Sequence, residues 1–205
     1  MKSEWNSIPD DATIEKTIKA LKSNGINAIV VKTNSEAKDK VISLIPEGSE
    51  VMQMTSVTLD KIEISDIINK PGKYNSVRDK LITLDRNTQK QEMKRLGSAP
   101  QFAIGSVHAI TQDGKVVVVS NTGSQLPAYA YGAEKVIWVA GAQKIVKNID
   151  DAMKRIEEYV LPLESERARK AYGMPKSNIS KMLIFNKEVE SDRIHLIIVK
   201  ENIGF

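Results

Sequence analysis

The sequence predicts an α/β fold with a mainly parallel sheet, and three observations carry that prediction. The first fifty-odd residues alternate helix, strand, helix, strand, an order that makes strands parallel through right-handed crossovers. Runs such as Asn27–Val31, Val116–Val119 and Val136–Gly141 have the length and composition of buried strands. Between such runs, apolar residues recur at helical spacing and are bounded by capping residues, Gly and Pro.

Taken in order, Asp10 or Asp11 caps a first helix whose apolar stripe is Ile14, Ile18 and Leu21, and Gly25 stops it. Asn27–Val31 follows as a buried strand. Thr33-Asn34-Ser35-Glu36 is a capping box for a second helix with the stripe Ala37, Val41 and Leu44. Pro46-Glu47-Gly48 turns the chain into a strand over Glu50–Met54, and Thr55-Ser56 opens a short helix near Val57–Lys61. Pro71-Gly72 breaks the alternation. Ser76–Leu84 and Thr88–Leu96 read as short charged helices, the second closed by Gly97, within a helical insert spanning about 65–97. Lys90, Lys94 and Arg95 there fit a solvated face better than a phosphate site.

The pattern resumes after Pro100. Phe102–Ser106 and Val107–Thr111 are strand-like, and Asp113-Gly114 is a hairpin dipeptide. The four valines Val116–Val119 favour a strand buried on both faces. Pro127 opens a short helix that ends at Gly132. Tyr129 and Tyr131 pack that helix on the sheet, and Trp138 is core. Asn148 caps a long helix with Ile149, Met153, Ile156 and Val160 on one face, interrupted by Pro162. Met182–Phe185 and Ile194–Val199 finish the sheet. The chain is read as one domain, residues 1–205.

Composition removes several function classes. There is no Cys, so disulfides, thiolate nucleophiles, Cys-based zinc sites and iron–sulfur ligation by this chain are excluded. Two His, His108 and His195, are too few for a His-rich metal centre. No metal or cofactor is expected. The net charge of +4 is spread evenly: Lys and Arg against Asp and Glu number 16 to 14 over residues 1–100 and 14 to 12 over 101–205. Nucleic-acid binders concentrate their charge, so nucleic acid is not an expected partner. No membrane-length apolar run occurs, and Met1-Lys2-Ser3-Glu4-Trp5-Asn6 has no leader pattern. The expected location is cytoplasmic.

The candidate ligand-binding residues lie where strands pass into loops. Asn121, Thr122, Gly123, Ser124 and Gln125 follow the valine strand and precede a helix. If that strand is parallel, the loop sits at the carboxyl edge, where open α/β sheets bind ligands. Free helix amides after Gln125 would then attract a phosphate or carboxylate. The same residues also fit an ordinary turn with a Ser124 cap. Thr55 and Ser56 follow another strand and make a second candidate, with plain capping as the simpler account. Ser106 and His108 begin the hairpin. His108 is the one acid–base candidate near these loops, although a hydrogen-bonded structural His fits its apolar neighbours. His195 and Glu134 read as structural and surface residues.

Three stretches carry a family resemblance: Gly105-Ser106-Val107-His108-Ala109-Ile110-Thr111-Gln112-Asp113-Gly114, Ser120–Gln125, and Tyr131–Val146 with its Gly141-Ala142-Gln143-Lys144. With the ending Arg193–Val199 and Gly204-Phe205, they resemble the core of the LUD (lactate-utilization protein) domain. The resemblance implies a three-layer α/β/α sandwich of the NagB/RpiA/CoA-transferase type. It also implies a part in L-lactate oxidation to pyruvate beside iron–sulfur or dehydrogenase partner subunits, since this chain has no cluster ligands. Three functions stay open on the residues: an accessory subunit that binds a small anionic metabolite, a stand-alone transferase, isomerase or ligase acting on a phosphorylated or CoA-linked substrate, and a metabolite-sensing module. Apolar surface on the short helices would suit a homodimer.

Overall fold

The computed structural model describes residues 4–70 and 72–205. Met1-Lys2-Ser3, read as part of a leaderless start, and Pro71, read as a break in the pattern, lie outside the described residues.

Local sequence rules account for the first half. Asp10 caps α1 (Asp11–Ser23), its carboxylate accepting from Thr13 N at 2.7 Å. Ile14 and Leu21 are buried on that helix, with Ile18 packed beside them. Gly25 takes a left-handed φ of 79° and turns the chain into β1 (Asn27–Val31). Thr33 caps α2 (Asn34–Ser43), accepting from Glu36 N at 3.2 Å, while the Glu36 carboxylate reaches one residue past the cap, to Lys32 N at 2.7 Å. Next come β2 (Glu50–Gln53), α3 (Val57–Lys61), α4 (Ser65–Asn69), β3 (Asn75–Ser76), α5 (Val77–Thr83) and α6 (Lys90–Ser98). Gly97 does not close α6. It is buried within the last turn in helical conformation, and the helix continues to Ser98.

A six-stranded, wholly parallel sheet is completed by β4 (Phe102–Gly105), β7 (Lys135–Gly141) and β10 (Ile194–Val199), in the order β1-β10-β7-β4-β2-β3. Strand alternation divides the core between its faces. Ile137, Val139 and Ile197 pack with Val41 of α2, Leu59 of α3 and Ile68 of α4. Val136, Trp138 and Leu196 face the other way, toward Leu21 of α1. The expectation of burial for β1 is corrected: it is an edge strand, and only Ala28 on it is buried. Central burial belongs to β10 instead.

The expectation that the remaining strands finish this same sheet is also corrected. β5 (Ala109–Thr111), β6 (Val116–Ser120), β8 (Ile145–Val146) and β9 (Lys181–Phe185) form a separate mixed sheet, in the order β8-β5-β6-β9. The Asp113-Gly114 hairpin, with Gly114 at φ 84°, folds β6 back antiparallel to β5. The four valines are buried on both faces as expected, because the small sheet is covered twice. Val116 and Val118 pack with Trp138 of the parallel sheet, and Val117 and Val119 pack with Ala152 and Ile156.

The last two belong to a helical segment of α7 (Ile149–Arg155), a π turn (Ile156–Val160) and α8 (Leu161–Tyr172). Asn148 caps it, accepting from Asp151 N at 2.9 Å. Pro162 does not interrupt the segment. It has no N–H and its ring crowds the carbonyl four residues back, and the preceding π turn, in which Leu161 N donates to Ile156 O, widens the helix there. The result is a three-layer α/β/α sandwich with a small sheet set into one face. Among the described residues no helix is long and apolar enough to cross a membrane.

Candidate functional site

The chain leaves the parallel sheet at the carboxyl end of β4 and enters the small sheet through Ser106-Val107-His108. That junction is the floor of a cavity of about 570 Å³. One wall is Thr55-Ser56, which follows β2, the parallel neighbour of β4. Another is the loop after β6, and a third is α8 with Glu164 and Arg167. Thr55, Ser56, Ser106, His108, Asn121, Thr122, Ser124 and Gln125 therefore line one crevice. Gly123 is not in the lining. Its φ of 86° shapes the turn, and a Cβ there would meet the Lys181 side chain at 2.5 Å.

The expectation of free helix amides is corrected by this fold. β6 runs antiparallel to both neighbours, so its loop is not the carboxyl edge of a parallel strand. The helix after it is a single π turn, Ala128–Gly132. The loop uses its amides internally: Gly123 N donates to Ser120 Oγ at 2.8 Å, Ser124 N to Thr122 Oγ1 at 3.3 Å, and Leu126 N to Gly123 O at 3.2 Å. Side chains are thus what the loop presents to the crevice. Ser56 does cap α3, accepting from Leu59 N at 3.4 Å, and Thr55 Oγ1 accepts from Arg78 Nη2 at 3.2 Å.

His108 is held as a neutral ring. Its Nδ1 accepts from Val119 N at 3.1 Å, which leaves the proton on Nε2. Burial first, then the positive charges of Lys144 and Arg155, push its pKa down to about 3. At neutral pH His108 is a hydrogen-bond donor toward the crevice, and its ordinary acid–base range is lost.

The residue that organises the floor is Lys144, in the short turn Ala142–Lys144 after β7. It is 2% exposed. Nζ donates to Thr58 Oγ1 at 3.1 Å, Ser106 Oγ at 3.0 Å and Val107 O at 3.0 Å. Thr58 Oγ1 also accepts from Ser106 Oγ at 3.2 Å. None of these partners is a carboxylate. Burial, and then the charge of Arg155, hold Lys144 well below the usual amine range. Arg155 is itself fully buried and brought down to about 10 by burial. Its Nη1 donates to His108 O at 2.5 Å, while Nε and Nη2 have no hydrogen-bond partner among the described residues.

Lys144 could have been noticed in the sequence as a lone cation inside the apolar run Val136–Val146. Arg155 likewise stands on the helix face of Ala152 and Ile156. Arg78 and Arg86 come from the helical insert and also line the crevice, as does Arg167, held bidentately by Glu164 at 2.7 Å on both contacts. Other residues lie apart. Tyr129 is buried edge-on to Trp138 at 5.5 Å between centroids, but Tyr131 is 91% exposed and packs nothing on the sheet. Lys90 and Lys94 are solvent-facing, Arg95 pairs with Glu92, and His195 bonds Asp192 away from the crevice.

The LUD domain model matches residues 14–199. Among solved structures, a DUF162 family protein from Deinococcus radiodurans is 11% identical with a TM-score of 0.58, covering 94% of this chain and 99% of that one. That likeness is one of fold. Weaker matches are eIF2B beta from Chaetomium thermophilum (19% identity, TM-score 0.38, 60% of this chain and 42% of that one) and ribose 5 phosphate isomerase A from Neisseria gonorrhoeae (14% identity, TM-score 0.32, 58% and 56%). No curated protein sequence matches.

Proposed function

The chain belongs to the LUD domain family, and from that premise we propose that it serves L-lactate or related organic-acid utilization by binding a small anionic metabolite in the crevice. The observation that carries this reading is the charge of the lining: three guanidinium groups, Arg78, Arg86 and Arg167, against one side-chain carboxylate, Glu164, which Arg167 already holds. Arg78 donates only to neutral acceptors, Gln53 O at 3.4 Å and Thr55 Oγ1 at 3.2 Å. Arg86 makes no ion pair among the described residues. A carboxylate or phosphate entering a partly dehydrated crevice is attracted to such a lining and held bidentately by guanidinium groups. Asn121, Thr122, Ser124 and Gln125 supply the polar wall. Without Cys, thiolate-held clusters for oxidising lactate to pyruvate belong to iron–sulfur or dehydrogenase partner subunits, and this chain is their accessory subunit.

The test is thermal unfolding against L-lactate, pyruvate, sugar phosphates, ATP, CoA, acyl-CoA and folates, with tagged protein recovered from its host in parallel. A ligand at a hundredfold excess over its Kd stabilises the native state by about 2.7 kcal/mol. The shift should vanish in an Arg78→Ala, Arg86→Ala double variant. Recovery of the protein with no iron–sulfur or dehydrogenase subunit would remove the accessory role, and a flat panel for the protein and its complexes would remove the anion site.

The second reading is a stand-alone transferase, isomerase or ligase. It is favoured by a neighbouring groove of about 420 Å³ that shares Thr55, Arg78, Arg86, Ser124 and Gln125 with the crevice and continues along Met52, Leu81, Leu84 and Met93. Such a groove suits a longer ligand with an apolar arm, such as an acyl-CoA. Tight binding with no turnover would instead mark a sensing module.

A further inference from the structure

We propose that Ser106 is a nucleophile activated by Lys144, accepting the acyl group of an anionic thioester or ester bound in the crevice. The inference rests on the functional reading only for the anionic character of the acyl donor.

The geometry orders the two groups. Ser106 is partly exposed and lines the cavity, and the more deeply buried Lys144 sits beside it with Nζ 3.0 Å from Ser106 Oγ. Val107 O can only accept, so Nζ must donate to it, whereas the hydroxyls of Ser106 and Thr58 can accept or donate. The pocket therefore satisfies both forms of the amine. As an ammonium it donates to three oxygens. As a neutral amine it keeps Val107 O and takes the Ser106 proton on its lone pair. A buried lysine with no carboxylate partner and with Arg155 behind it favours the neutral form, which is the form a general base requires. Direct attack by Nζ on a bound carbonyl fits less well, because Nζ is engaged by three partners on a side chain that is almost fully buried, whereas Ser106 is partly exposed.

The step balances without a redox partner. Ser106 Oγ attacks the acyl carbon as its proton passes to Lys144 Nζ. The bond from that carbon to the leaving sulfur or oxygen breaks, and Lys144 returns the proton to the departing thiol or alcohol. Water then cleaves the Ser106 ester by the same relay, releasing a carboxylic acid and restoring the hydroxyl. Thr58, 3.2 Å from Ser106 Oγ and 3.1 Å from Nζ, is a positioning residue. The neutral His108, in the same lining, can donate from Nε2 to the developing oxyanion.

The experiment treats the intact protein with an alkyl fluorophosphonate and with p-nitrophenyl acetate. The expected result is one phosphonyl adduct per chain, mapped to Ser106, and a nitrophenolate burst of about one equivalent, as an accumulating acyl-enzyme gives. Ser106→Ala should abolish both. Lys144→Arg keeps a donor but stays charged, and should slow labelling by about 100-fold or more, the scale of general-base catalysis. A merely structural Lys144 would leave labelling intact in any Lys144→Arg protein that folds. An adduct elsewhere, no adduct on the wild-type chain, or equal labelling in Lys144→Arg overturns the proposal. Anion-induced thermal stabilisation is measured on the same samples. If it persists while labelling fails, the nucleophile is wrong and the anion site stands; if both fail, the functional reading fails too.

Discussion

Arg193 and Lys144 are both nearly removed from solvent, at 3% and 2% exposure, yet their surroundings differ in kind. Arg193 Nη1 meets Glu188 Oε2 at 2.8 Å. Its Nε donates to Ala133 O at 3.1 Å, and its Nη2 to Ala128 O at 3.2 Å and Tyr129 O at 3.0 Å. One guanidinium thus ties down the carbonyls of the π turn that holds Tyr129 beneath the crevice. Among the described residues Lys144 has hydroxyls and a carbonyl but no counter-charge, and the nearby Arg155 carries the same sign, with two of its nitrogens unpartnered. A buried charge that is fully compensated supports architecture. Buried charges left uncompensated beside a cavity disfavour the folded state unless they neutralise or meet a ligand, which is why they concentrate at functional sites.

The largest expected effect tests the compensated half of this contrast. Arg193→Met strands the Glu188 carboxylate and takes a donor from three carbonyls, and should cost about 3–5 kcal/mol in urea-induced unfolding, the usual result of breaking one side of a buried pair. A cost below about 1 kcal/mol would show that Arg193 holds little in place, and the contrast would dissolve.

Lys144→Met tests the other half and should do something different. It removes an uncompensated amine, so stability near neutral pH should stay within about 1.5 kcal/mol of the parent while Ser106 labelling disappears. The pH dependence has a definite sign. The folded pKa of Lys144 lies well below its ordinary value of 10.5, so between the two the unfolded chain binds a proton that the folded chain does not. Stability therefore rises with pH across that window, by at most about 1.4 kcal/mol per pH unit. Lys144→Met should flatten that rise. A rise of equal slope in the variant would assign it to other groups.

What the sequence disclosed follows the same division. The parallel sheet and its helices were legible because their signals are local: caps at Asp10, Thr33, Ser56 and Asn148, and stripes at helical spacing. The small sheet was not, because Val116–Val119 shows the same pattern whether it lies centrally in a parallel sheet or between two covering layers. The same ambiguity reaches residues 121–125, whose helix amides would face a ligand only beyond a parallel strand, and β6 is antiparallel to both neighbours. Thr55, Ser56, Ser106 and His108, which line the crevice, stand at strand-to-loop transitions, and those mark the edge of a sheet without knowledge of its partners. Lys144 was missed because its meaning depends on Thr58, 86 residues away, and Ser106, 38 away, which only the fold assembles. Arg78 and Arg86 were hidden among the charges of an insert that reads as solvated.

That insert supplies the smallest and most local test of where the site begins. Arg86 and Arg95 are both solvent-facing cations within it, and neither is part of the core. Arg86 lines the crevice with no ion pair among the described residues, whereas Arg95 lies outside it and is paired with Glu92 at 2.7 Å. Replacing either with Ala should leave the melting temperature of the unliganded protein essentially unchanged, because exposed charges and their pairs contribute little to folding. Only Arg86→Ala should reduce the stabilisation produced by the best anion of the panel. The comparison belongs at 0.15 M salt, where the Debye length is about 8 Å and a general positive field is largely screened. Equal losses in the two variants there would mean that the anion responds to the overall basicity of the surface. A loss confined to Arg86→Ala would mean that the insert places specific guanidinium groups over the crevice, next to the uncompensated lysine that the rest of the fold has buried beneath it.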